Sequence, residues 1–150
     1  MTKIIKIAII GLGQVGNYLY RELNLKKKNI EIKSGKKIQI VAVSAKNKNK
    51  KRKYKINKKI FYTDPIKIIK KIKPDVLFEV IGQSDGISKK VVETALRNQI
   101  HVITPNKGLI SKHGDYLSKL AEDNNVNLEF EASVAGGIPI LKTIKEGLAT

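Results

Sequence analysis

Short apolar runs rich in β-branched residues alternate along the chain with longer segments of helical periodicity. The apolar runs lie at residues 4–10, 38–43, 60–62, 76–81, 100–103 and 126–130. Apolar residues three or four positions apart mark helical segments at 15–25, 65–72, 88–97 and 109–121. Strands that are apolar throughout are typical of a parallel sheet covered by helices on both faces. The pattern therefore predicts an α/β fold built on a doubly wound parallel sheet.

Three further segments stand outside this alternation. Residues 26–37 are predicted to extend the first helix and its turn. Residues 46–59 hold nine basic residues and no acid, and they are predicted to form a loop. Residues 139–148 are predicted to form a helix that begins at Pro139, since a proline at the first helical position loses no hydrogen bond.

Composition narrows the class of protein. The chain of 150 residues has the size of one domain. It contains no cysteine, which excludes disulfides, a thiolate zinc site and a cysteine nucleophile. No apolar stretch approaches the roughly 20 residues needed to span a bilayer, and Lys3 and Lys6 interrupt the apolar start of the chain, unlike a signal peptide. We therefore expect a cytoplasmic protein without a membrane partner.

The net charge of +17 suggests a polyanion such as nucleic acid as a partner. However, only three of the 30 basic residues are arginines, namely Arg21, Arg52 and Arg97. Nucleic-acid contacts usually favour arginine. The composition thus favours solvated surface lysines over a nucleic-acid site, which stays the less favoured alternative.

A glycine motif follows the first apolar run, in the segment IAIIGLGQVGN at residues 7–17. Gly11 would permit a tight turn, Gly13 would let the backbone approach a pyrophosphate, and Gly16 would allow the following helix to pack closely on the strand. The start of that helix offers free N–H groups to the phosphates. The motif predicts a Rossmann-type dinucleotide-binding domain; the alternative is that the glycines serve the turn alone.

The end of the second strand bears on the choice of cofactor. An enzyme that uses NAD commonly offers an acid here to the ribose, but this chain has Ser44, Ala45 and Lys46, and no acid before Asp64. Small residues followed by cations suit a 2′-phosphate, so NADP is favoured over NAD. Lys46 is the first candidate for that phosphate, and Lys48, Lys50 and Arg52 stand behind it. The alternative is a loop that is merely rich in lysine.

Two later strand ends carry further candidates. Gly82 and Ser84 lie in a turn where ligands of open α/β sheets bind, and Ser84 could equally cap the next helix. Lys107 is predicted near a helix start that Asn106 caps, where a cation is locally unfavourable, and such a conflict often marks a site. A chance lysine is the alternative. Glu79, inside an apolar strand, has no explanation in the sequence.

The segment FEASVAGGIPI at residues 130–140 also follows a strand. Its acid and glycine-bearing loop could ligate a hard cation, whereas its Gly-Gly-x-Pro start could present N–H groups to an anion. The spacing does not choose between the two.

Taken together, these segments resemble the amino-terminal half of bacterial homoserine dehydrogenases over residues 3–149. The motifs that carry the resemblance are GLGQVG, VAVSAKN, KPDVLFEVIG, VVETALRNQIHVITPNKGLISKHGDYL and FEASVAGGIPILKTIKEGL. The resemblance implies an NADP- or NAD-dependent oxidoreductase that interconverts L-aspartate 4-semialdehyde and L-homoserine, on the route to threonine, isoleucine and methionine.

The resemblance also implies roles for individual residues. The pyrophosphate would be lined by Gly11, Gly13, Gln14, Val15 and Gly16. Lys46 would replace the family's usual arginine near the 2′-phosphate, and Lys107 would lie by the nicotinamide and the substrate. A sodium ion would be bound by Glu131, Val134, Gly136 and Ile138.

Two departures from the family pattern affect what this chain can do. The family's Thr-Ala-Asn-Lys is Thr-Pro-Asn-Lys here, which stiffens the approach to Lys107. We further expect residues 1–138 to form the dinucleotide-binding domain and residues 139–150 to begin the connection to a catalytic domain absent from this chain. The proton-transferring lysine belongs to that domain, so the chain alone is expected to be inactive. The full-length enzyme is expected to be a homo-oligomer; the alternative is a stand-alone or inactive dinucleotide-binding domain.

Overall fold

The computed structural model describes residues 3–130 and contains one sheet of six parallel strands. The strands are β1 (Ile4–Ile10), β2 (Lys37–Ser44), β3 (Phe61–Tyr62), β4 (Val76–Glu79), β5 (His101–Ile103) and β6 (Leu128–Glu129). Their order across the sheet is β3-β2-β1-β4-β5-β6. The chain therefore runs outward from β1 to one edge, returns, and runs outward from β4 to the other, which confirms the predicted doubly wound plan.

Five α-helices connect the strands: α1 (Gln14–Leu25), α2 (Lys27–Ser34), α3 (Pro65–Lys67), α4 (Ile87–Arg97) and α5 (Lys107–Asp123). A π turn at Ile68–Ile72 continues α3, and a 3₁₀ turn at Lys58–Ile60 precedes β3. Among residues 3–130 there is no helix with the length and apolar character that a membrane span requires.

The prediction that residues 26–37 extend the first helix is wrong. The chain breaks the helix at Lys26, where ψ is 6°, and begins a separate helix α2 that ends at Gly35 with a φ of 70°. Ile30 is the only buried residue of α2 and joins the core beneath α1. The helix predicted at residues 139–148 and the domain boundary predicted after residue 138 lie outside the described residues.

Two apolar clusters cover the opposite faces of the sheet. On one face, Ile9 packs with Leu19 and Leu23 of α1. On the other face, Leu77 packs with Val91 of α4 and Leu117 of α5. Because neighbouring residues of β1 and β4 contribute to different clusters, both central strands are buried on both sides, which explains their continuous apolar sequences.

The basic segment at residues 46–59 is attached to helix α1. Residues 45–57 form neither helix nor strand, as predicted. The amide of the buried Asn17 donates from Nδ2 to the Tyr54 carbonyl (3.0 Å) and accepts at Oδ1 from the Tyr54 N–H (2.9 Å). The Arg21 guanidinium lies 4.9 Å from the centre of the Tyr54 ring. One side chain therefore satisfies both backbone groups of a loop residue 37 positions away.

We expect Asn17→Ala to destabilise the fold. The substitution leaves the N–H and the carbonyl of Tyr54 without these partners, which costs about 1–3 kcal/mol for buried groups. Urea unfolding followed by circular dichroism measures the loss. The matched control is Asn24→Ala, which removes an exposed amide bonded only to the Tyr20 carbonyl; an equal loss in both variants would contradict the role assigned to Asn17.

The buried His101 gives a prediction about pH. Its Nδ1 accepts from the Asn127 N–H (3.0 Å), and burial lowers the pKa of its imidazole below the ordinary value, with Asp75 opposing this shift. The folded chain therefore keeps His101 neutral at a pH where the unfolded chain takes up a proton. As the pH falls below about 6.5, the free energy of unfolding decreases.

We expect His101→Asn to flatten this decline, because the asparagine Oδ1 can replace Nδ1 as the acceptor and does not titrate. Urea unfolding at pH 7.5 and at pH 5 compares the two chains. A slope unchanged by the His101 substitution would assign the pH dependence to other groups.

Candidate dinucleotide-binding site

A groove of about 280 Å³ lies across the carboxyl ends of β1, β2 and β4. This is the point at which the strand order reverses, where open α/β sheets bind their ligands. Ile10, Val80 and Ile81 give the groove an apolar floor. The other lining residues come from four chain segments: Gly11, Gly13, Ser44, Ala45, Lys46, Thr63, Pro65, Gln83 and Ile87.

The glycine turn brings the end of β1 against both α1 and β4. Gly11 has a φ of 104°, and a Cβ there would lie 2.7 Å from the carbonyl atoms of Val80. A Cβ on Gly16 would collide with the carbonyl oxygen of Gly11. Both positions therefore require glycine in order for the backbones to pack.

Gly13 differs from the other two glycines, since a Cβ there would meet nothing within 4 Å. Its φ of −70° and ψ of −160° suit any residue. Gly13 is the N-cap of α1 and makes no side-chain hydrogen bond to the helix, whose first N–H groups lack intrahelical acceptors. Gln14 and Val15 follow it and are exposed. The space over Gly13, together with the start of α1, fits the pyrophosphate of a dinucleotide.

At the carboxyl end of β2, Lys46 lies on the groove wall, whereas Arg52 lies outside the groove lining and bonds to backbone carbonyls. Ser44 is buried, Ala45 is half-buried, and Lys46 is exposed on the groove wall. The Arg52 guanidinium donates to the carbonyls of Asn47 (2.7 Å), Lys50 (3.0 Å) and Leu12 (3.4 Å). Arg52 thus folds the basic segment against the glycine turn, with one N–H from each of its three nitrogens bonded inside the chain.

The turn after β4 places different residues at the groove from those predicted. Gln83 lines the groove, whereas the predicted Gly82 and Ser84 are outside its lining. Gly82 takes a φ of 87°, and the Ser84 hydroxyl donates to Asp85 (3.2 Å). Gly86, not Ser84, is the N-cap of α4, so the alternative role predicted for Ser84 is wrong. Only the turn, and not Gln83 itself, could be recognised from the sequence.

Asp85 ties this turn to helix α5. Its carboxylate accepts from Lys112 Nζ (2.6 Å) and lies 2.7 Å from His113 Nε2. Hydrogen bonds from these two residues, with Lys112 the larger contributor, hold the pKa of Asp85 well below its usual range. The Asp85 carboxylate therefore attaches the turn after β4 to helix α5 at an exposed position.

Helix α5 starts beside the same turn. Asn106 caps it as predicted, accepting at Oδ1 from the Leu109 N–H (3.1 Å). Lys107 is the first residue of the helix and is exposed, outside the groove lining. A Cβ on Gly108 would lie 3.2 Å from Ser84 Cβ, so the first turn of α5 packs directly on the turn after β4. The structure thereby brings the Lys107 and Ser84 segments together.

The predicted sodium ligands Glu131, Val134, Gly136 and Ile138 lie outside the described residues. Between residues 3 and 130, no cluster of three or more acidic or histidine side chains could hold a metal ion.

Known proteins share both the sequence and the fold of this chain. Residues 11–131 match the family model described as the NAD binding domain of homoserine dehydrogenase. The homoserine dehydrogenase of Neisseria gonorrhoeae is 37% identical over 147 residues, which are 98% of this chain and 33% of the relative. That of Bacillus subtilis is 36% identical over 148 residues, 99% of this chain and 34% of the relative.

A solved structure agrees with these relatives. The crystal structure of S. aureus homoserine dehydrogenase at pH 7.5 superposes with a TM-score of 0.80 at 35% identity, over 87% of this chain and 34% of that one. The chain thus spans about a third of the length of the relatives it matches.

The difference between Gly13 and Gly16 gives a paired prediction. We expect Gly13→Ala to keep the stability of the fold and to weaken NADPH binding by about tenfold or more, because its methyl group occupies the space assigned to the pyrophosphate. Gly16→Ala should instead destabilise the fold by about 1–3 kcal/mol, since its methyl group overlaps the Gly11 carbonyl.

Thermal unfolding and NADPH fluorescence titration measure the two quantities. Gly35→Ala is the control for the NADPH titration, because it replaces a glycine that lies away from the groove, at a position with a φ of 70°. Unchanged NADPH affinity in Gly13→Ala would show that the pyrophosphate does not lie over this residue.

Proposed function

The chain belongs to the homoserine dehydrogenase family, and we propose that it is the cofactor-binding part of an enzyme that interconverts L-aspartate 4-semialdehyde and L-homoserine. The observation that carries the proposal is the groove over the glycine turn, placed at the carboxyl ends of the neighbouring strands β1 and β4, where the strand order reverses, in the region that matches the family's NAD-binding domain. Such a groove lets one ligand contact several strand ends at once.

In this proposal, the residues of the glycine turn bind and orient the cofactor. The backbone of Gly11, Gly13, Gln14, Val15 and Gly16 lines the pyrophosphate, with the N-terminus of α1 directed at its negative charge. The apolar floor beneath the groove excludes water from the bound dinucleotide. When bound, the nicotinamide ring supplies hydride transfer.

The turns after β4 and β5 would form the nicotinamide end of the site. Gln83 from the groove wall, with Gly82 and Ser84 beside it, would contact the ribose or the ring. The cationic side chain of Lys107, exposed at the start of α5, would orient the substrate's polar group next to the ring. The packing of Gly108 on Ser84 supports this assignment, because it holds the start of α5 against the turn whose Gln83 lines the groove.

We propose NADP as the preferred cofactor, with NAD as the weaker one. Lys46 lies on the groove wall at the end of β2, and the groove-lining residues from that strand end contain no acid to bind a ribose hydroxyl pair. A lysine Nζ suits a 2′-phosphate as a point charge.

The remaining assignments extend beyond the described residues. We propose that residues 1–138 complete the dinucleotide-binding domain, that residues 139–150 begin a connection to a catalytic domain, and that Glu131, Val134, Gly136 and Ile138 bind a sodium ion. The lysine that transfers the proton then belongs to the two thirds of the relatives that this chain does not match. We further propose that the whole enzyme is a homo-oligomer.

A charge reversal tests the proposed cofactor preference. Lys46→Glu should weaken NADPH binding by about tenfold or more, because it removes a charge-assisted hydrogen bond and places a like charge by the phosphate. Binding of NADH should change by no more than about twofold, since NADH carries no 2′-phosphate. Fluorescence titrations of both cofactors on the purified chain measure this difference.

The control is Lys27→Glu, which makes the same charge change on the exposed start of α2. Equal losses of affinity for NADPH and for NADH would contradict the assignment of Lys46 to the 2′-phosphate. A chain without NADPH binding at millimolar concentration would contradict the proposed function itself.

A further inference from the structure

Glu79, the last residue of β4, is an acid with no exposed surface. Four donors surround its carboxylate. Oε1 accepts from the N–H of Ile81 (2.9 Å) and of Gly82 (3.4 Å). Oε2 accepts from Thr104 Oγ1 (2.6 Å) and Asn106 Nδ2 (3.4 Å). Within residues 3–130, each of these hydrogen-bond partners is uncharged.

These hydrogen bonds join the turn after β4, which carries the groove-lining Gln83, to the turn after β5. Oε1 holds the start of the turn after β4, and Oε2 holds the turn after β5. Asn106 strengthens the connection because its Nδ2 also donates to the Gln83 carbonyl (2.6 Å), while its Oδ1 caps α5. The Thr104 hydroxyl further accepts from the Asn106 N–H (3.1 Å). The buried carboxylate is therefore the common acceptor of the turn that follows it directly and of two residues 25 and 27 positions further along the chain.

Packing alone does not account for an acid at this position. Transfer of a carboxylate from water to a protein interior costs several kcal/mol even after relaxation, and neutral hydrogen bonds offset only part of that cost. The strand is otherwise apolar, and residues 76–78 join the two core clusters. A buried acid kept at a strand end, beside a ligand groove, is more readily explained by a site than by the core.

We propose that Glu79 is a positioning residue for the nicotinamide half of the dinucleotide site. Through Asn106 it fixes the first turn of α5, where Lys107 begins the helix, and through Ile81 and Gly82 it fixes the turn that carries Gln83. This inference rests on the proposed function, because it assigns a ligand to the groove that Gln83 lines. Glu79 itself lies beneath the groove lining and touches neither cofactor nor substrate.

The isosteric variant Glu79→Gln separates this role from packing. A carboxamide has one acceptor oxygen and one donor nitrogen, whereas all four partners of Glu79 donate. With its oxygen toward Ile81 and Gly82, its nitrogen faces the Nδ2 donor of Asn106. The size of the side chain is kept, but Asn106 can no longer hold both Gln83 and the cap of α5 in the same position.

The test compares the affinity of the full 150-residue chain for a complete cofactor, NADPH, with its affinity for a cofactor fragment that lacks the nicotinamide. We expect Glu79→Gln to weaken NADPH binding by about tenfold or more, and to leave the affinity for adenosine 2′,5′-bisphosphate within about twofold of wild type. The bisphosphate has no nicotinamide, so general damage to the fold would weaken both ligands alike. Glu93→Gln makes the same chemical change on α4, where Glu93 pairs with Lys89, and should leave both affinities unchanged.

A second pair of variants applies if Glu79→Gln does not fold. Thr104→Val removes the hydroxyl that donates to Glu79, and Thr104→Ser keeps it. We expect Val to weaken NADPH selectively and Ser to restore the wild-type affinity.

The outcomes separate this inference from the proposed function. Suppose that the wild-type chain binds both ligands. If the Glu79→Gln variant then binds both with wild-type affinity, or loses affinity for both to the same extent, the positioning role is overturned and the proposed function stands. If the wild-type chain binds neither ligand, the proposed function falls, and the inference falls with it.

Discussion

The close approach of three backbones at the glycine turn determines the geometry of the site. At Gly11 the end of β1 lies so near the Val80 carbonyl that a Cβ would be 2.7 Å from it, and Gly16 brings α1 still closer to Gly11. This contact fixes the direction of α1, and with it the direction of its N-terminal dipole. It also holds the glycine turn against Val80, where both line the groove. The turns after β4 and β5 can contribute to the same site only because this contact keeps the glycine turn in place.

The elements whose signals are local could be predicted from the sequence. The apolar run of β1, the glycines after it and the Asn106 cap of α5 each depend on neighbours within a few residues, and each is confirmed. The break between α1 and α2 could not be predicted, because Lys26 is no helix breaker and the second helix is held mainly by the burial of Ile30. Propensity is a weak guide where tertiary packing decides.

The site itself was predictable only in part. Gly11, Gly13 and Lys46 lie at the groove, where their motif placed them. Gln83 lines the groove without any signal of its own, and Arg52 lies outside the groove lining and donates to backbone carbonyls. Glu79 was visible as an anomaly, but its partners Thr104 and Asn106 are brought to it by a strand pairing that no local pattern encodes.

The glycines of this short turn are under two different selective pressures, because Gly13 alone has open space over it. Gly11 and Gly16 are required by the fold, so any descendant that still folds must keep them. Gly13 has backbone angles that suit every residue and room for a side chain. A descendant that had lost its cofactor would be free to replace it. If the pyrophosphate lies over Gly13 as we propose, the residue at this one position in relatives of this chain would record whether a dinucleotide is still in use.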